Sequence, residues 1–501
     1  MKNDHWIEHL AHWQAFLDER ITQVDDFGEK IKITRQRKVL EEIKYAAVLN
    51  PRLLLEFINP TSIPTYKTDD IEYHLALNDS QKKAVSLALS DNVLSLIQGP
   101  PGTGKTQVIT EICLQLYRKN PDIRILICSE THTAVNNLIS RLSDASDKIR
   151  IVRIRDKEQD NEADQFSPES IIKYYENWLR VNLENEELAE LIIDTVSKYE
   201  DRSLEKALTL SANVAGMTCN RVGAYNFDTT NEMFDVVIID EVCKATLPEI
   251  LMPITIAKKA ILVGDPKQLP PVFCSEEIDV IRSIDKCDLQ KYMYIDHLFS
   301  RSRCVTILDT QYRMAERIGS LVGTLFYSGQ LINGRVSSSD GNVTWIDYTP
   351  SQSWPVPADG EEYQRIYNMD ECTIVSSVLQ QLDTDNNDNL SVAVIAPYRN
   401  QVSKLRQIVR ESQWEHIAPK VDTVDGFQGK ESDVVVFSLT RTHGPYRFLA
   451  DKRRLNVALS RAKDQLIMVG SLEYAKANPL LRKIAAKCDI RFGEPYHTKE
   501  S

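Results

Sequence analysis

The chain has 501 residues, 42% of them hydrophobic, and a formal net charge of −12 at pH 7. This length allows roughly two to four domains, and the acidic balance argues against a protein that coats nucleic acid through a global basic surface. No run of about eighteen apolar residues and no apolar signal segment occurs, so we expect no membrane contact and a cytoplasmic location, or a nuclear one in a eukaryote. The nine cysteines form no C-x-x-C pair, which argues against a zinc site and a disulfide framework.

Helices are predicted for the first 75 residues. Apolar residues recur at helical spacing over residues 6–21, and a second helical stretch over residues 36–49 stops at Asn50-Pro51. Two interpretations stay open, a packing arm and a docking surface for a partner protein. Residues 1–76 are therefore predicted to form a helical N-terminal arm and linker.

Residues 99–106 read Gly-Pro-Pro-Gly-Thr-Gly-Lys-Thr, between the apolar run 93–97 and the helix-compatible stretch 107–118. Glycines let the backbone direct successive N–H groups at phosphates, while Lys105 reaches the β and γ oxygens and the Thr106 hydroxyl ligates Mg²⁺. This pattern predicts binding of a nucleoside triphosphate, ATP in our reading, by Gly99, Pro100, Gly102, Thr103, Gly104, Lys105 and Thr106.

Short β-branched strands then alternate with amphipathic helices. Such alternation is typical of a parallel sheet with helices on both faces, and it places the nucleotide at the carboxyl ends of the strands. We predict strands at residues 93–97, 124–128, 214–218, 234–239, 260–263, 305–308, 392–395, 434–439 and 466–469.

The alternation predicts an α/β fold with two domains of the same class. The first domain is predicted over residues 77–303 and the second over residues 304–501. An acidic helical segment at about residues 156–210 interrupts the first domain and is predicted to be an insertion.

Paired carboxylates end the predicted strand at residues 234–239. In a phosphate-loop enzyme the first acid, Asp240, holds Mg²⁺, and the second, Glu241, orients and deprotonates the attacking water. The next strand runs into a Gly/Pro-rich loop whose Gln268 would reach the γ-phosphate or that water. In the second domain, Arg313 and Arg461 are candidate donors that neutralise charge in the transition state.

The order of these motifs resembles that of superfamily 1 helicases, most closely the up-frameshift branch that includes the nonsense-mediated-decay helicase and senataxin. The resemblance covers about residues 77–475 and implies two tandem RecA-like domains, ATP in the cleft between them, and 5′ to 3′ movement along single-stranded nucleic acid. The matching motifs are Gln81, the phosphate loop, and residues 240–241, 264–271, 311–313, 421–431 and 456–461.

The resemblance also assigns roles to individual residues. Gln81 would read the adenine, Tyr312 would stack on it, and Gly429 and Glu431 would contact the nucleotide. The resemblance also implies γ-phosphate contacts from Gln268, Arg313 and Arg461. Hydroxyls and backbone N–H groups suit a motor that grips phosphates without reading sequence. The implied nucleic-acid contacts are Thr131, Thr133, Thr218, Pro397, Tyr398 and Thr423.

The chain departs from the family pattern at three places. Val242 and Cys243 replace the small residues that usually follow the paired acids, and Glu130 stands where proline is frequent. Residues 1–76 lack the run of short alternating strands that would predict the barrel preceding the motor in the decay helicase. We therefore expect a minimal motor that depends on a partner protein, bound through the N-terminal helices or the acidic insertion.

The sequence thus predicts an ATP-dependent helicase or translocase acting on single-stranded DNA or RNA, with Mg²⁺. One alternative is an ATP-gated nucleic-acid clamp or remodeller that depends on a partner and does not unwind processively. A second alternative is a phosphate-loop enzyme that acts on a small molecule or powers a protein partner.

Overall fold

The computed structural model describes residues 4–45, 48–67, 71–155, 164–198, 201–225, 234–285, 289–337, 339–352, 366–385, 389–427 and 429–494. The chain divides into two compact units. The first comprises Met1–Gly99, Gly104–Pro266 and Pro270–Leu308, and the second comprises Pro100–Thr103, Lys267–Leu269 and Asp309–Ser501.

The first unit alternates helices and strands. Its strands are β1 (Leu94–Gln98), β2 (Ile125–Ser129), β3 (Ile151–Arg153), β4 (Val214–Thr218), β5 (Phe234–Ile239), β6 (Ala257–Gly264) and β7 (Val305–Ile307). Its helices are α1 (Asp4–Gln23), α2 (Phe27–Lys44), α3 (Pro51–Ile58), α4 (Asp79–Leu89), α5 (Lys105–Lys119), α6 (His132–Ala145), α7 (Pro168–Asn182), α8 (Glu186–Ser197), α9 (Asp201–Ser211), α10 (Cys219–Val222), α11 (Leu247–Thr255), α12 (Ser275–Asp285) and α13 (Tyr294–Arg301).

Within the described residues the first sheet has the order β3-β4-β2-β5-β6-β1-β7, and every pairing is parallel. Leu96 of β1 packs in one core cluster and Ile97 in another, because successive side chains of a strand point to opposite faces. Both faces of the sheet are therefore covered, as expected for a parallel sheet. The carboxyl ends of β1, β6 and β5 lie at one edge as neighbours.

The N-terminal helices belong to the core of the first unit. Trp13 and Leu17 of α1, Leu40 of α2, and Phe57 of α3 are buried in the same cluster as β5 and β6. The predicted stretch 36–49 differs in detail, since α2 begins earlier, where the Asp26 side chain accepts from the Glu29 N–H and caps the helix. The apolar faces of the N-terminal helices α1, α2 and α3 are thus used for packing.

The second unit has the same architecture. Its strands are β8 (Thr310–Gln311), β9 (Ile332–Asn333), β10 (Asn342–Asp347), β11 (Leu390–Ile395), β12 (Ile417–Asp422), β13 (Ser432–Ser438), β14 (Ala462–Val469) and β15 (Asp489–Phe492). Its helices are α14 (Glu316–Phe326), α15 (Met369–Asp385), α16 (Arg399–Glu411), α17 (Lys452–Leu459), α18 (Leu472–Lys476) and α19 (Pro479–Ala485). Its main sheet, as far as the chain is described, is parallel with the order β12-β11-β13-β14-β10-β15.

The predicted α/β class is confirmed, with two parallel sheets flanked by helices in tandem RecA-like domains. One strand lies elsewhere than predicted. The strand expected at residues 305–308 of the second domain is β7, which pairs with β1 in register Leu96↔Val305 and so extends the first sheet. Helices α7 to α9 fill the described part of the acidic segment, between β3 and β4. No helix among the described residues is long and apolar enough to cross a membrane.

Candidate active site

The phosphate loop leaves β1 and opens α5. Gly104 occupies the N-cap position with a φ of 78°, in the left-handed region, and no side chain caps the helix there. The Lys105 ammonium donates to the Gly99 carbonyl at 2.6 Å. A Cβ at Gly104 would lie 2.6 Å from Nε2 of Gln81, so both backbone conformation and space favour glycine. An uncapped helix N-terminus following such a loop is suited to bind phosphate.

Gln81 lies beside this loop and is anchored. It is buried in α4, where its Oε1 accepts from the Asn78 N–H at 3.0 Å while the Asn78 side chain accepts from the Gln81 N–H. This capping box fixes one end of the amide and leaves its Nε2 facing Gly104. The adenine contact of Gln81 stays a prediction.

The paired acids follow β5 at the same sheet edge. Asp240 is buried, and burial together with the negative charge of Glu241 raises its pKa to about 6, although Lys105 acts in the opposite direction. Glu241 has a φ of 52°, which is strained for a residue with a Cβ. Its N–H donates to Oδ1 of Asp240 at 2.9 Å. The end of β5 thus places two adjacent carboxylates in different environments, with Asp240 buried and Glu241 in a left-handed backbone conformation.

The oxygen donors near the loop fit Mg²⁺. The hydroxyl of Thr106 and the buried carboxylate of Asp240 are hard ligands, which this ion prefers. No group of three or more His, Cys, Asp or Glu side chains able to hold a metal occurs in the described part of the chain. Mg²⁺ bound here would therefore depend on substrate phosphates and water for its other ligands, as is usual for it.

Lys244 forms an ion pair with the predicted base. Its Nζ lies 2.5 Å from Oε2 of Glu241, and both side chains are largely shielded from solvent. The pair spans one turn of the short 3-10 helix Val242–Lys244. Sequence reasoning missed Lys244, although its position three residues after Glu241 was the available signal. The ammonium thus fixes one of the two oxygens of the Glu241 carboxylate.

We expect the substitution Lys244→Met to lower kcat for ATP hydrolysis about fivefold, which corresponds to about 1 kcal/mol, with little change in KM. Phosphoryl transfer depends on positioning, and the substitution removes the group that orients Glu241. Steady-state kinetics measure this, with Lys244→Arg as the variant expected to restore kcat. A rise in kcat would show instead that the ion pair restrains the base.

A second ion pair joins α11, the helix that follows Asp240 and Glu241, to the N-terminal helix α2. Glu249 of α11 is 3% exposed and accepts from the Thr246 N–H and from Asn220 Nδ2, and it pairs with Lys32 of α2 at 3.2 Å. Burial raises the pKa of Glu249, but Lys32 and these hydrogen bonds outweigh it and the pKa falls below its usual range. The N-terminal helix α2 is thereby tied to the element directly behind Glu241.

The loop after β6 holds Gln268, a predicted catalytic residue. In the first unit, Asp265 is buried and accepts from Gln98 Nε2 at 3.4 Å. In the second unit, Asn456 Nδ2 donates to the Lys267 carbonyl at 2.8 Å, and Leu269 packs in the core. Gln268 is half-buried between these two anchored residues.

Arg313 is paired with another predicted site residue. Its Nε lies 2.6 Å from Oε2 of Glu431, and its Nη1 donates to the Ser460 carbonyl at 3.3 Å. Glu431 also pairs with Lys463 at 3.2 Å. Burial raises the pKa of Glu431, but the charges of Arg313 and Lys463 outweigh it and lower the pKa. The second unit thus brings a predicted γ-phosphate donor and a predicted nucleotide contact together.

Arg461 is placed differently from Arg313. It is 3% exposed, its Nε donates to the Val457 carbonyl at 2.9 Å, and its Nη1 donates to the Lys430 carbonyl at 3.0 Å. A contact with the γ-phosphate would compete with these bonds. Arg461 is thus the more buried of the two predicted arginines, and both γ-phosphate contacts stay predictions.

Tyr312 and Gly429 have exposed positions in the second unit. The Tyr312 ring is 45% exposed, and its N–H donates to the Gly102 carbonyl at 2.8 Å within this unit. Gly429 has a φ of 81° and is exposed. Gln428 lies outside the described residues. An exposed ring is suited to stack on a base, and this role stays a prediction.

The predicted nucleic-acid contacts of the first unit follow the neighbouring strands β2 and β4. Thr131 caps α6 by accepting from the Ala134 N–H at 3.4 Å, and Thr133 is exposed on the first turn. Thr218 is buried, and its hydroxyl accepts from the Arg221 N–H at 3.3 Å. The Thr218 hydroxyl therefore serves its own helix cap, whereas Thr133 faces solvent.

The corresponding residues of the second unit follow the neighbouring strands β11 and β12. Pro397 and Tyr398 are half-buried, and the Tyr398 hydroxyl accepts from Arg441 Nε at 2.7 Å with that guanidinium 5.3 Å from the ring centroid. Thr423 is half-buried and accepts from the Gly426 N–H at 3.4 Å. These residues meet at one sheet edge, and their contacts with nucleic acid stay predictions.

Known proteins share these features along most of the chain. Two family models, each described as an AAA domain, match residues 76–199 with 182–276 and residues 290–473. The DNA polymerase alpha-associated DNA helicase A of Saccharomyces cerevisiae is 30% identical, over 83% of this chain and 69% of its own length. ATP-dependent helicase NAM7 of the same yeast is 30% identical over 83% of this chain and 44% of its own. DNA-binding protein SMUBP-2 of Mesocricetus auratus is 29% identical over 79% of this chain and 43% of its own length.

A phosphate loop after β1 and paired carboxylates after β5, in a parallel sheet, define a phosphate-loop ATPase. With a second domain of the same architecture and the relatives above, the chain belongs to the superfamily 1 helicases, in their up-frameshift-like branch. It is accordingly an enzyme of the ATP-dependent helicase class.

Proposed function

We propose that the protein hydrolyses ATP to move 5′ to 3′ along single-stranded DNA or RNA and to separate paired strands. The observation that carries the proposal is the shared sheet edge, where the phosphate loop, Asp240 and Glu241 follow β1 and β5, with β6 between them. This edge is where phosphate-loop enzymes carry out phosphoryl transfer.

In this proposal, the ATP phosphates lie on the N–H groups that open α5, and Lys105 exchanges the Gly99 carbonyl for the β and γ oxygens. Thr106 and Asp240 would hold Mg²⁺, which would supply charge neutralisation on the phosphates. Glu241, oriented by Lys244, accepts the proton of the attacking water as its oxygen approaches the γ-phosphorus.

The second unit supplies Arg313 and the groups around it. Arg313 exchanges its pair with Glu431 for the developing negative charge, while Lys463 continues to pair with Glu431. Gln268 orients the water, and Tyr312 with Gln81 holds the adenine. A guanidinium that changes partners when the phosphate bond is broken gives the two domains different affinities for each other before and after hydrolysis. Movement along a strand requires such a difference.

Nucleic acid is proposed to lie against Thr131 and Thr133 in the first unit and against Pro397, Tyr398 and Thr423 in the second. Thr218 is left out because its side chain is buried, whereas the other five residues are half-buried or exposed. Contacts through hydroxyls and backbone groups do not distinguish DNA from RNA.

A partner-dependent clamp is the second candidate function, and one observation favours it. Helices α7 and α8 of the acidic insertion expose large apolar side chains, among them Tyr174 at 64% and Trp178 at 47%. Exposed aromatic residues are enriched in protein interfaces. The N-terminal helices contribute many apolar residues to the core of the first unit, and they expose Ile7, Phe27 and Leu55 only as scattered side chains. The insertion is therefore the proposed partner surface.

The test is the ATPase rate with and without single-stranded DNA and RNA, at low and moderate salt. We expect at least a tenfold stimulation by one of them, about 1.4 kcal/mol of coupling, and then unwinding of a duplex with a 5′ tail but not with a 3′ tail. Stimulation without unwinding would support the clamp. ATPase activity indifferent to both polymers would contradict the proposal and favour action on a small molecule or protein.

A further inference from the structure

An arginine-lined cavity lies on the outer face of α16 and includes none of the residues assigned above. Arg399, Arg406 and Arg410 are spaced by seven and four residues and therefore share one face of the helix. The cavity has a volume of about 460 Å³. Its lining consists of Arg399, Ser403, Arg406, Gln407, Arg410 and Glu411. We call the three arginines the arginine stripe.

All three arginines of the stripe are exposed, and Arg406 is also anchored to a neighbouring strand. Arg406 Nε donates to the Val421 carbonyl at 2.9 Å, and its Nη2 lies 3.0 Å from Oδ1 of Asp422. The side chains of Arg399 and Arg410 make no hydrogen bond or ion pair with any described residue. Only Glu411 carries negative charge within α16, in a chain whose net charge is −12. The stripe is therefore a local positive surface on an acidic protein.

Its dimensions match a phosphate backbone. Arg399 and Arg410 are eleven residues apart, or about 16 Å along a helix that rises 1.5 Å per residue. One strand of a duplex presents a phosphate about every 3.4 Å of axis, so the stripe spans several phosphates. Arg399 directly follows Tyr398, which the proposed function places against nucleic acid.

We propose that the arginine stripe binds the phosphate backbone of nucleic acid that extends beyond the sheet edge, along α16. The proposal rests on the proposed nucleic-acid function and adds a second contact region to it. Planar guanidinium groups bind phosphate oxygens well and read no sequence in doing so. The apolar side of the helix, with Val402 and Leu405, is buried, so the stripe faces outward.

The experiment compares short and long single strands. The double variant Arg399→Ala with Arg410→Ala is assayed by fluorescence anisotropy against oligonucleotides of about eight and about thirty nucleotides over a range of salt. Arg406 is kept because it supports Val421 and Asp422. We expect about tenfold weaker binding of the long strand and a salt slope lower by about 1.4, since two phosphate contacts are lost. Binding of the short strand and basal ATPase activity should be unchanged.

The control removes the same charge from the same unit. Lys404 lies on α16 with its ammonium 5.7 Å from the Tyr367 ring centroid, and Lys476 is exposed on α18. The pair Lys404→Ala with Lys476→Ala should leave binding of both strands unchanged. An equal effect of the two double variants, or an equal loss on both strand lengths, would overturn the proposal. The proposal would also be overturned if the Arg399→Ala, Arg410→Ala variant lost binding of a polyglutamate probe but still bound the long strand like the wild type. The stripe would then bind an acidic polypeptide and not nucleic acid. A wild-type chain that bound neither strand would overturn the proposed function as well.

Discussion

Glu241→Gln should lower kcat for ATP hydrolysis by about 10³, while ATP stays bound, because a general base contributes about 10² to 10⁴ in rate. The amide keeps the shape of the carboxylate but cannot accept the proton of the attacking water. It also loses the charge that pairs with Lys244 at 2.5 Å. Steady-state turnover and equilibrium binding of labelled ATP measure the two effects separately.

Asp235→Asn is the matched control for Glu241→Gln. Asp235 lies at the opposite end of β5, where its carboxylate pairs with Lys258 at 2.7 Å. Its substitution changes charge on the same strand without touching the sheet edge that carries Asp240. Turnover at the wild-type rate in Glu241→Gln would refute the assignment of the base, whereas a matching loss in Asp235→Asn would point to disturbed packing of the strand.

Lys105→Ala should lower kcat/KM by at least about 10³, equivalent to about 4 kcal/mol, and should also weaken ATP binding. The ammonium is the cation that the loop itself directs toward the phosphates, and the substitution leaves the N–H groups of α5 without it. In the structure this ammonium donates to the Gly99 carbonyl at 2.6 Å, within the loop itself. ATPase assays and nucleotide titration measure the change.

Lys119→Ala serves as the control for Lys105→Ala because Lys119 is the last residue of the same helix and is exposed. It should hydrolyse ATP like the wild type. An unchanged melting temperature of Lys105→Ala would exclude unfolding as the cause of its inactivity. Wild-type turnover in Lys105→Ala would mean that the phosphates bind elsewhere.

The phosphate loop and the paired acids could be predicted because their chemistry is local in sequence. Strand β1 was expected at residues 93–97 and occurs at Leu94–Gln98, and β5 has the expected bounds. A parallel sheet then brings the strand ends together without further information. For this reason the order of motifs was enough to indicate the nucleotide site.

Contacts between distant residues could not be predicted in this way. The assignment of β7 failed because an apolar strand of three residues fits either sheet, and its pairing with β1 depends on tertiary packing. The pair of Lys32 with Glu249 joins residues 217 positions apart, for which one sequence offers no signal. The spacing of Arg399, Arg406 and Arg410 was visible in the sequence, but their exposure on α16 was not.

The ion pair between Lys32 of α2 and Glu249 of α11 limits which segment of this chain can be fused to another protein and still fold. A gene fusion that kept residues 77–501 and exchanged the preceding segment would discard Lys32 and leave the buried Glu249 carboxylate without its cation. It would also bare the apolar surface that Trp13, Leu40 and Phe57 cover. The unit that recombination can transfer intact therefore begins well before the first recognisable motif, with helices that hold none of the proposed site residues.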